Sequence, residues 1–329
     1  MITATGLCKR FGDKLAVDNL NFGIEKGEIV GFLGPNAAGK TTTMRMLTCY
    51  FPPSEGSASV AGFDVYTQSL QVRKNVGYLP EHVPLYLDMS VREYLEFAAA
   101  AKGVPHADRK KAVATAVERC SLESVVDQLI GTISRGYRQR VGLGQAIISE
   151  PPVLILDEPT VGLDPAQIRE IRELIKELGK KSTVILSTHI LPEVSMTCSR
   201  VIIIANGRIQ AQDTPQNLAA RQLSLVPITL GVAGAPAGEI LEFLRGLQGV
   251  KKAESEGDLF RVEADNDRQV RPQIARAVIE KGWELLELHA RQATLEDVFL
   301  EIVSKSDAEE AASQPDKAAE PVAVGGESA

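Results

Sequence analysis

Residues 34–42, "GPNAAGKTT", constrain this chain more than any other stretch. Gly34, Gly39, Lys40 and Thr41 stand at the spacing G-x-x-x-x-G-K-T. The apolar run "EIVGFLG" leads in, and "KTTTMRMLTCY" follows with helix-forming residues until "FPPSEG" stops it. The order predicts a buried strand, a tight loop and a helix start, a combination built to hold an anion. Backbone N–H groups of the loop wrap phosphate oxygens, Lys40 brings a point charge to the β- and γ-phosphates, and the Thr41 hydroxyl suits Mg²⁺. Alone, the pattern identifies nucleotide binding and not the kind of protein that does it.

A second stretch narrows the choice. "VLILDEP" is a continuous apolar strand that ends in two adjacent carboxylates, Asp157 and Glu158. Ligands of open α/β sheets gather at such strand ends, and two carboxylates there are costly unless they have work to do. Asp157 is placed to hold Mg²⁺, directly or through water, and Glu158 to act as general base on an attacking water. "STVILSTH" predicts a neighbouring strand that ends at His189, within reach of Glu158 and of that water.

The rest of the chain fits around this pair. Residues 1–30 alternate apolar and polar positions between turns, as short antiparallel strands do, and "VRKNVGYLP" at 72–80 predicts another strand. Residues 90–130 are helical in period, with Ser90 and Glu93 forming a capping box, and suggest a helical insert over about 82–145. From residue 151, strands alternate with helices, which implies a doubly wound, mainly parallel sheet. Residues 221–304 predict a separate β-α-ββ-α-β unit, a split βαβ sandwich, followed by the short helix "TLEDVFLEIV". Residues 305–329 have almost no large apolar side chain and are expected to be disordered.

Composition excludes several classes. The net charge of -7 weighs against general nucleic-acid affinity. No apolar run approaches the roughly 20 residues that span a bilayer, and the N-terminus lacks a signal peptide's pattern, so a cytoplasmic chain is expected, with any membrane role arising through a partner. Cys8, Cys49, Cys120 and Cys198 are scattered without metal or disulfide spacing, and His82, His106 and His289 lack ligand spacing.

"GTISRGYRQRVGLGQ", residues 131–145, is less obvious. Ser134 is a natural N-cap for a helix beginning near Gly136, so "ISRGY" reads as a second phosphate-binding helix start. The insert separates it from Lys40, so it suits the phosphate of a second molecule, with two copies in head-to-tail C₂ symmetry completing each other's sites.

In this order the motifs resemble those of an ATP-binding cassette (ABC) ATPase over about residues 1–220. "GPNAAGKTT" resembles the Walker A loop, "VLILDE" the Walker B strand, "ISRGY" the signature motif, "GLDP" (162–165) the D-loop and "GYLPE" (77–81) the Q-loop region, with His189 at the switch-histidine position. The resemblance implies a P-loop NTPase cassette with a helical subdomain, here followed by a small α+β unit. It implies ATP and Mg²⁺ as ligands: Phe11 stacking on adenine; Gly34, Pro35, Asn36, Ala37, Ala38, Gly39, Lys40, Thr41, Thr42, Ser134, Gly136 and Asp164 at the nucleotide; Thr41, Glu81 and Asp157 at the metal; and Glu158, His189 and Lys40 in catalysis. Four positions depart from the pattern: Ala37 for a usual Gly, Arg135 and Tyr137 within the signature, and Glu81 for a usual Gln.

"GYLPE", "SRGYRQRVGLGQA" and "ATLEDVFLEIV" are similar to ATPase chains of ABC-2-type exporters of the gliding-motility, multidrug and sodium-export group. That likeness implies a homodimer docked through residues near 82–100 on a separate membrane permease, peripheral on the cytoplasmic face, with no nucleic-acid partner. The alternatives are a non-transport ABC ATPase acting on ribosomes or DNA, and a catalytically quiet regulatory cassette.

Overall fold

The computed structural model describes residues 1–220, 226–257, 259–264, 267–290 and 294–313. Two antiparallel strands, β1 (Ile2–Phe11) and β2 (Lys14–Ile24), open the chain; β3 (Ile29–Leu33) then runs into the phosphate loop and α1 (Lys40–Leu47). β4 (Glu55–Val60), β5 (Phe63–Asp64), α2 (Ser69–Asn75) and β6 (Val76–Leu79) follow. Three helices come next, α3 (Val91–Ala101), α4 (His106–Arg119) and α5 (Arg135–Ile147). The α/β alternation resumes with β7 (Val153–Asp157), α6 (Pro165–Gly179), β8 (Thr183–Thr188), α7 (Leu191–Thr197), β9 (Arg200–Ala205), β10 (Arg208–Asp213) and α8 (Pro215–Ala220). β11 (Val226–Ala233), α9 (Ala237–Arg245), β12 (Val250–Glu256), β13 (Leu259–Ala264), α10 (Asp267–Glu280), β14 (Glu284–Ala290) and α11 (Leu295–Ser313) complete it.

The central sheet has the order β10-β9-β3-β8-β7-β6, parallel from β9 to β6 with β10 antiparallel at one edge. β7 and β8 are buried at every position, as strands covered on both faces must be, and their sequences "VLILD" and "TVILST" are correspondingly unbroken by charge until Asp157. One face packs on the antiparallel sheet β2-β1-β4-β5, with Phe22 and Phe32 edge to face at 5.2 Å. The other packs on the helices, where Leu95, Val141, Leu143, Ile171 and Ile175 join Leu154 and Leu186.

Three local expectations are met and two are corrected. Ser90 caps α3 in a capping box with Glu93, Ser134 caps α5, and the last sheet has the split-βαβ order β12-β13-β11-β14. The strand expected over 72–80 begins only at Val76; residues 69–75 form α2 because only Val72 turns inward and the remaining side chains are solvated on a helical turn. The disordered segment expected from residue 305 also starts too early. α11 continues to Ser313, with Leu295, Phe299 and Ile302 packed into the core on the helix-covered side of the central sheet. Residues 314–329 lie outside the described residues, as does the expected boundary at 221.

Candidate functional site

The register of the central sheet builds the site. Leu33 pairs with Thr188, and Asp157 with Ser187, so β3, β7 and β8 end side by side. The loop after Leu33, the carboxylates at the end of β7 and His189 after β8 therefore converge, although they are far apart in the chain.

The loop is shaped by contacts that admit no larger residue. A Cβ at Gly34 would stand 2.3 Å from the Ile204 carbonyl oxygen, and Gly39, at φ +104°, would place one 2.8 Å from the Ala16 oxygen. Ala37 occupies the left-handed region at φ +64°, where its methyl costs roughly 1–2 kcal/mol that a glycine would not. α1 begins at Lys40 with no side chain capping it, leaving its first N–H groups for an anion. Lys40 is buried; its Nζ donates to the carbonyls of Gly34 at 2.7 Å and Pro35 at 3.0 Å. Burial pushes its pKa down, and Glu158 and Asp157 oppose that shift.

Glu158 is buried, and its backbone takes φ +52°, an unusual conformation for this residue at a strand end. Its N–H donates to the Ser187 carbonyl at 2.8 Å, which fixes that turn. The carboxylate lies 3.7 Å from Lys40 Nζ, while His189 Nδ1 stands 3.0 and 2.9 Å from its two oxygens. With Nδ1 donating, the ring is oriented and its other nitrogen is left for a substrate or water. Glu193, which sequence reasoning missed, braces this arrangement: its buried carboxylate accepts from the Thr188 hydroxyl at 3.1 Å, and that hydroxyl accepts from Ile190 N–H at 3.1 Å. Burial raises the pKa of the Glu193 carboxyl.

Asp157 is fully buried, and neither of its carboxylate oxygens has a hydrogen-bond partner. The hydroxyls of Ser187 and Thr41 face it without closing bonds of normal geometry, and burial pushes its pKa up. A hard divalent cation is the partner that such an orphaned carboxylate fits, and Thr41 and Glu81 supply further oxygens nearby. The residues present therefore suit Mg²⁺.

A cavity of about 620 Å³ opens over this cluster, lined by Phe11, Lys14, Ala16, Asn36 to Thr42, Glu81, Glu158, Val161 and His189. Phe11 is half-exposed at its edge, 5.4 Å edge-on from Phe51, with Lys9 Nζ 5.3 Å from its ring centre. Lys14 pairs with Phe11 across the β1–β2 hairpin and was also missed, though its proximity to Phe11 in the sequence is a usable signal. Gly34 and Pro35 contribute through the carbonyls that hold Lys40 rather than by lining the cavity.

Ser134, Gly136 and Asp164 do not line this cavity. Ser134 Oγ accepts from Tyr137 N–H at 3.3 Å, and Asp164 caps α6 by accepting from Ala166 and Gln167 N–H at 3.0 and 2.9 Å. The two segments instead pack on each other. The Gln167 amide lies against Gly136, and the Arg135 guanidinium lies over Gly162, where a Cβ would stand 2.4 Å from Cζ. This second cluster is a separate surface built from the start of α5 and the loop before α6.

Residues 17–161 match the family model described as ABC transporter, and an AAA-domain model matches residues 139–196. The chain is 34% identical to the Nod factor export ATP-binding protein I of Rhizobium sp. (strain N33), over 92% of this chain and 97% of that protein. It is 31% identical to the linearmycin resistance ATP-binding protein LnrL of Bacillus subtilis (strain 168), over 93% and 99% of the two chains. A solved ATP-binding subunit of an ABC transporter superposes with a TM-score of 0.62 at 29% identity, covering 66% of this chain and 91% of that one.

Proposed function

The chain belongs to the ABC transporter ATP-binding family, and from that premise we propose that it is the ATP-hydrolysing subunit of an ABC-2-type exporter. Similarity along nearly the whole length of two relatives named for export and resistance supports the transport reading. The observation that carries the chemistry is the Glu158 carboxylate held between Lys40 and His189 at a strand end, beside the orphaned carboxylate of Asp157.

ATP phosphates take the N–H groups of the 34–42 loop and the start of α1, and Lys40 exchanges carbonyl partners for phosphate oxygens. Phe11 offers its exposed ring to the base. Asp157, Thr41 and Glu81 would hold Mg²⁺, which when bound neutralises phosphate charge. Glu158 accepts the proton of the attacking water, and His189 orients that carboxylate. Ser134, Gly136 and Asp164 serve the nucleotide of a second copy, so the working unit is a homodimer closed by ATP.

Residues 1–220 form the cassette, with a helical subdomain over about 82–145, and residues 221–304 an accessory unit. The subdomain offers the permease an aromatic surface. Tyr86, Leu87 and Phe97 are exposed, with Tyr86 5.5 Å edge to face from Phe97. Among the described residues no helix is long and apolar enough to cross a membrane, so membrane association, on the cytoplasmic face, runs through that partner.

The test uses tagged Glu158→Gln protein purified with ATP and Mg²⁺ from gently solubilised membranes. Recovery of a polytopic membrane protein in comparable amount supports the exporter reading. Recovery of only ribosomes, nucleic acid or soluble proteins overturns it and leaves the ATP site standing.

A further inference from the structure

The turn between β9 and β10, Asn206–Gly207, forms the wall behind the phosphate loop. Gly207 N–H donates to the Ala38 carbonyl at 3.1 Å, and the Gly207 carbonyl accepts from Asp18 N–H at 2.9 Å. Just before it, the Ile204 carbonyl crowds the Cα of Gly34. Small shifts of this turn therefore reach the loop through direct backbone contact.

Asn206 sits in the left-handed region at φ +49°. Its amide nitrogen donates to Ser306 of α11, at 3.0 Å to Oγ and 3.2 Å to the carbonyl, across a hundred residues of sequence. Ser306 is buried, only 6% exposed. α11 is seated there by Leu295, Phe299 and Ile302 in the cassette core. At its other end, Asp297 lies 3.6 Å from Arg261 of β13. A continuous line of contacts thus runs from the last sheet through α11 and Asn206 to the phosphate loop.

We propose that Asn206, held by Ser306 of α11, is a positioning residue that pre-organises the phosphate loop for ATP. Such a tie acts on binding more than on the chemical step, because the Ala38 carbonyl shapes the anion cradle and touches neither Glu158 nor its water. A loop already held in its bound form loses less freedom when it binds. The inference rests on the reading that residues 34–42 bind ATP phosphates.

The experiment uses the full chain with Asn206→Gly, Ser306→Ala and the double variant. Glycine keeps the left-handed backbone without strain and removes only the amide. Ser306→Ala removes one of the two acceptors from the α11 side and leaves the turn untouched. ATPase kinetics, the dissociation constant of a fluorescent ATP analogue and Tm are measured for each. The expected result is a roughly five- to ten-fold rise in KM and Kd for Asn206→Gly, as loss of about one hydrogen bond would give, with kcat at saturating ATP within about two-fold. Ser306→Ala shifts the same constants less, and the double variant matches Asn206→Gly alone. A fall in Tm with KM and Kd unchanged makes the contact merely structural and overturns the proposal, as do additive effects in the double variant. If the unaltered chain itself binds no ATP, the phosphate-loop reading fails, and this inference with it; if the unaltered chain binds and Asn206→Gly equals it, only this inference fails.

Discussion

Asp157 shows how one side chain is held at a cost for its chemistry. It is fully buried with both carboxylate oxygens unpartnered, and burial raises its pKa. The native state therefore binds the proton more tightly than the unfolded chain does, so this group's contribution to stability is present at low pH. It is lost as pH rises from the ordinary carboxylate range through the raised value. Asp157→Asn is expected to raise Tm at neutral pH without divalent cation, to lose the Mg²⁺-dependent rise in Tm and to abolish turnover. Scanning fluorimetry with and without Mg²⁺ checks this, and a lower Tm for the cation-free variant contradicts it. Glu158→Gln is expected to lower kcat by about 10²–10⁴-fold while ATP still binds, read by steady-state kinetics beside equilibrium binding. These residues were legible because they end and directly follow one apolar strand, so chain adjacency alone locates them. Glu193 and the Asn206–Ser306 pair were not. Glu193 lies only five residues from its partner Thr188 but belongs to no motif, and the Asn206–Ser306 contact is set by how α11 packs a hundred residues later, which no short sequence window encodes.

Among elements, α6 and α3 carry opposite lessons. Asp164 sits in the "GLDP" stretch that suggested a nucleotide contact, yet here its carboxylate caps α6. Asp164→Ala should cost about 1 kcal/mol of stability through the lost cap, whereas Asp164→Asn keeps the cap. If Asp164→Asn retains Tm but loses ATPase activity, the residue also acts across a dimer; retained Tm and activity restrict it to capping. Helix α3 was legible from its capping box and apolar period, but the exposure of Phe97 on it was not, because period alone does not say which apolar residue is left outside. Phe97→Glu is expected to leave the isolated chain's ATPase rate within about two-fold and to lower co-purification of the membrane partner, scored by quantitative pull-down. Residues 72–75, the end of α2, read as strand because a single inward-facing apolar position, Val72, gives too few repeats to separate the two periods.

At the level of the whole chain, the sequence marked an α/β cassette followed by a split βαβ sheet, because strand and helix periods change clearly along it. It did not show that the last helix returns to the cassette. α11 has apolar residues on one side in "LEDVFLEIV", which seat Leu295, Phe299 and Ile302 beside α7, α8 and β9. The point at which truncation becomes harmless follows from this. Removing 314–329 should leave ATPase kinetics unchanged. Removing 306–329, which takes Ser306 as well, should raise the KM for ATP in the same direction as Asn206→Gly. Matched kinetics on the two shortened chains decide it, and equal KM values would place the functional end of the chain before Ser306.

The return of α11 also orders events during synthesis. The cassette strands leave the ribosome first, and the helix that seats against them begins about 75 residues after α8 ends, a delay of about 4–15 s at ordinary translation rates. Until then the apolar seat for Leu295, Phe299 and Ile302 is uncovered and Asn206 lacks its Ser306 partner. A nascent chain thus carries its nucleotide loop before it carries the brace for it, and tight ATP capture is postponed until α11 has emerged.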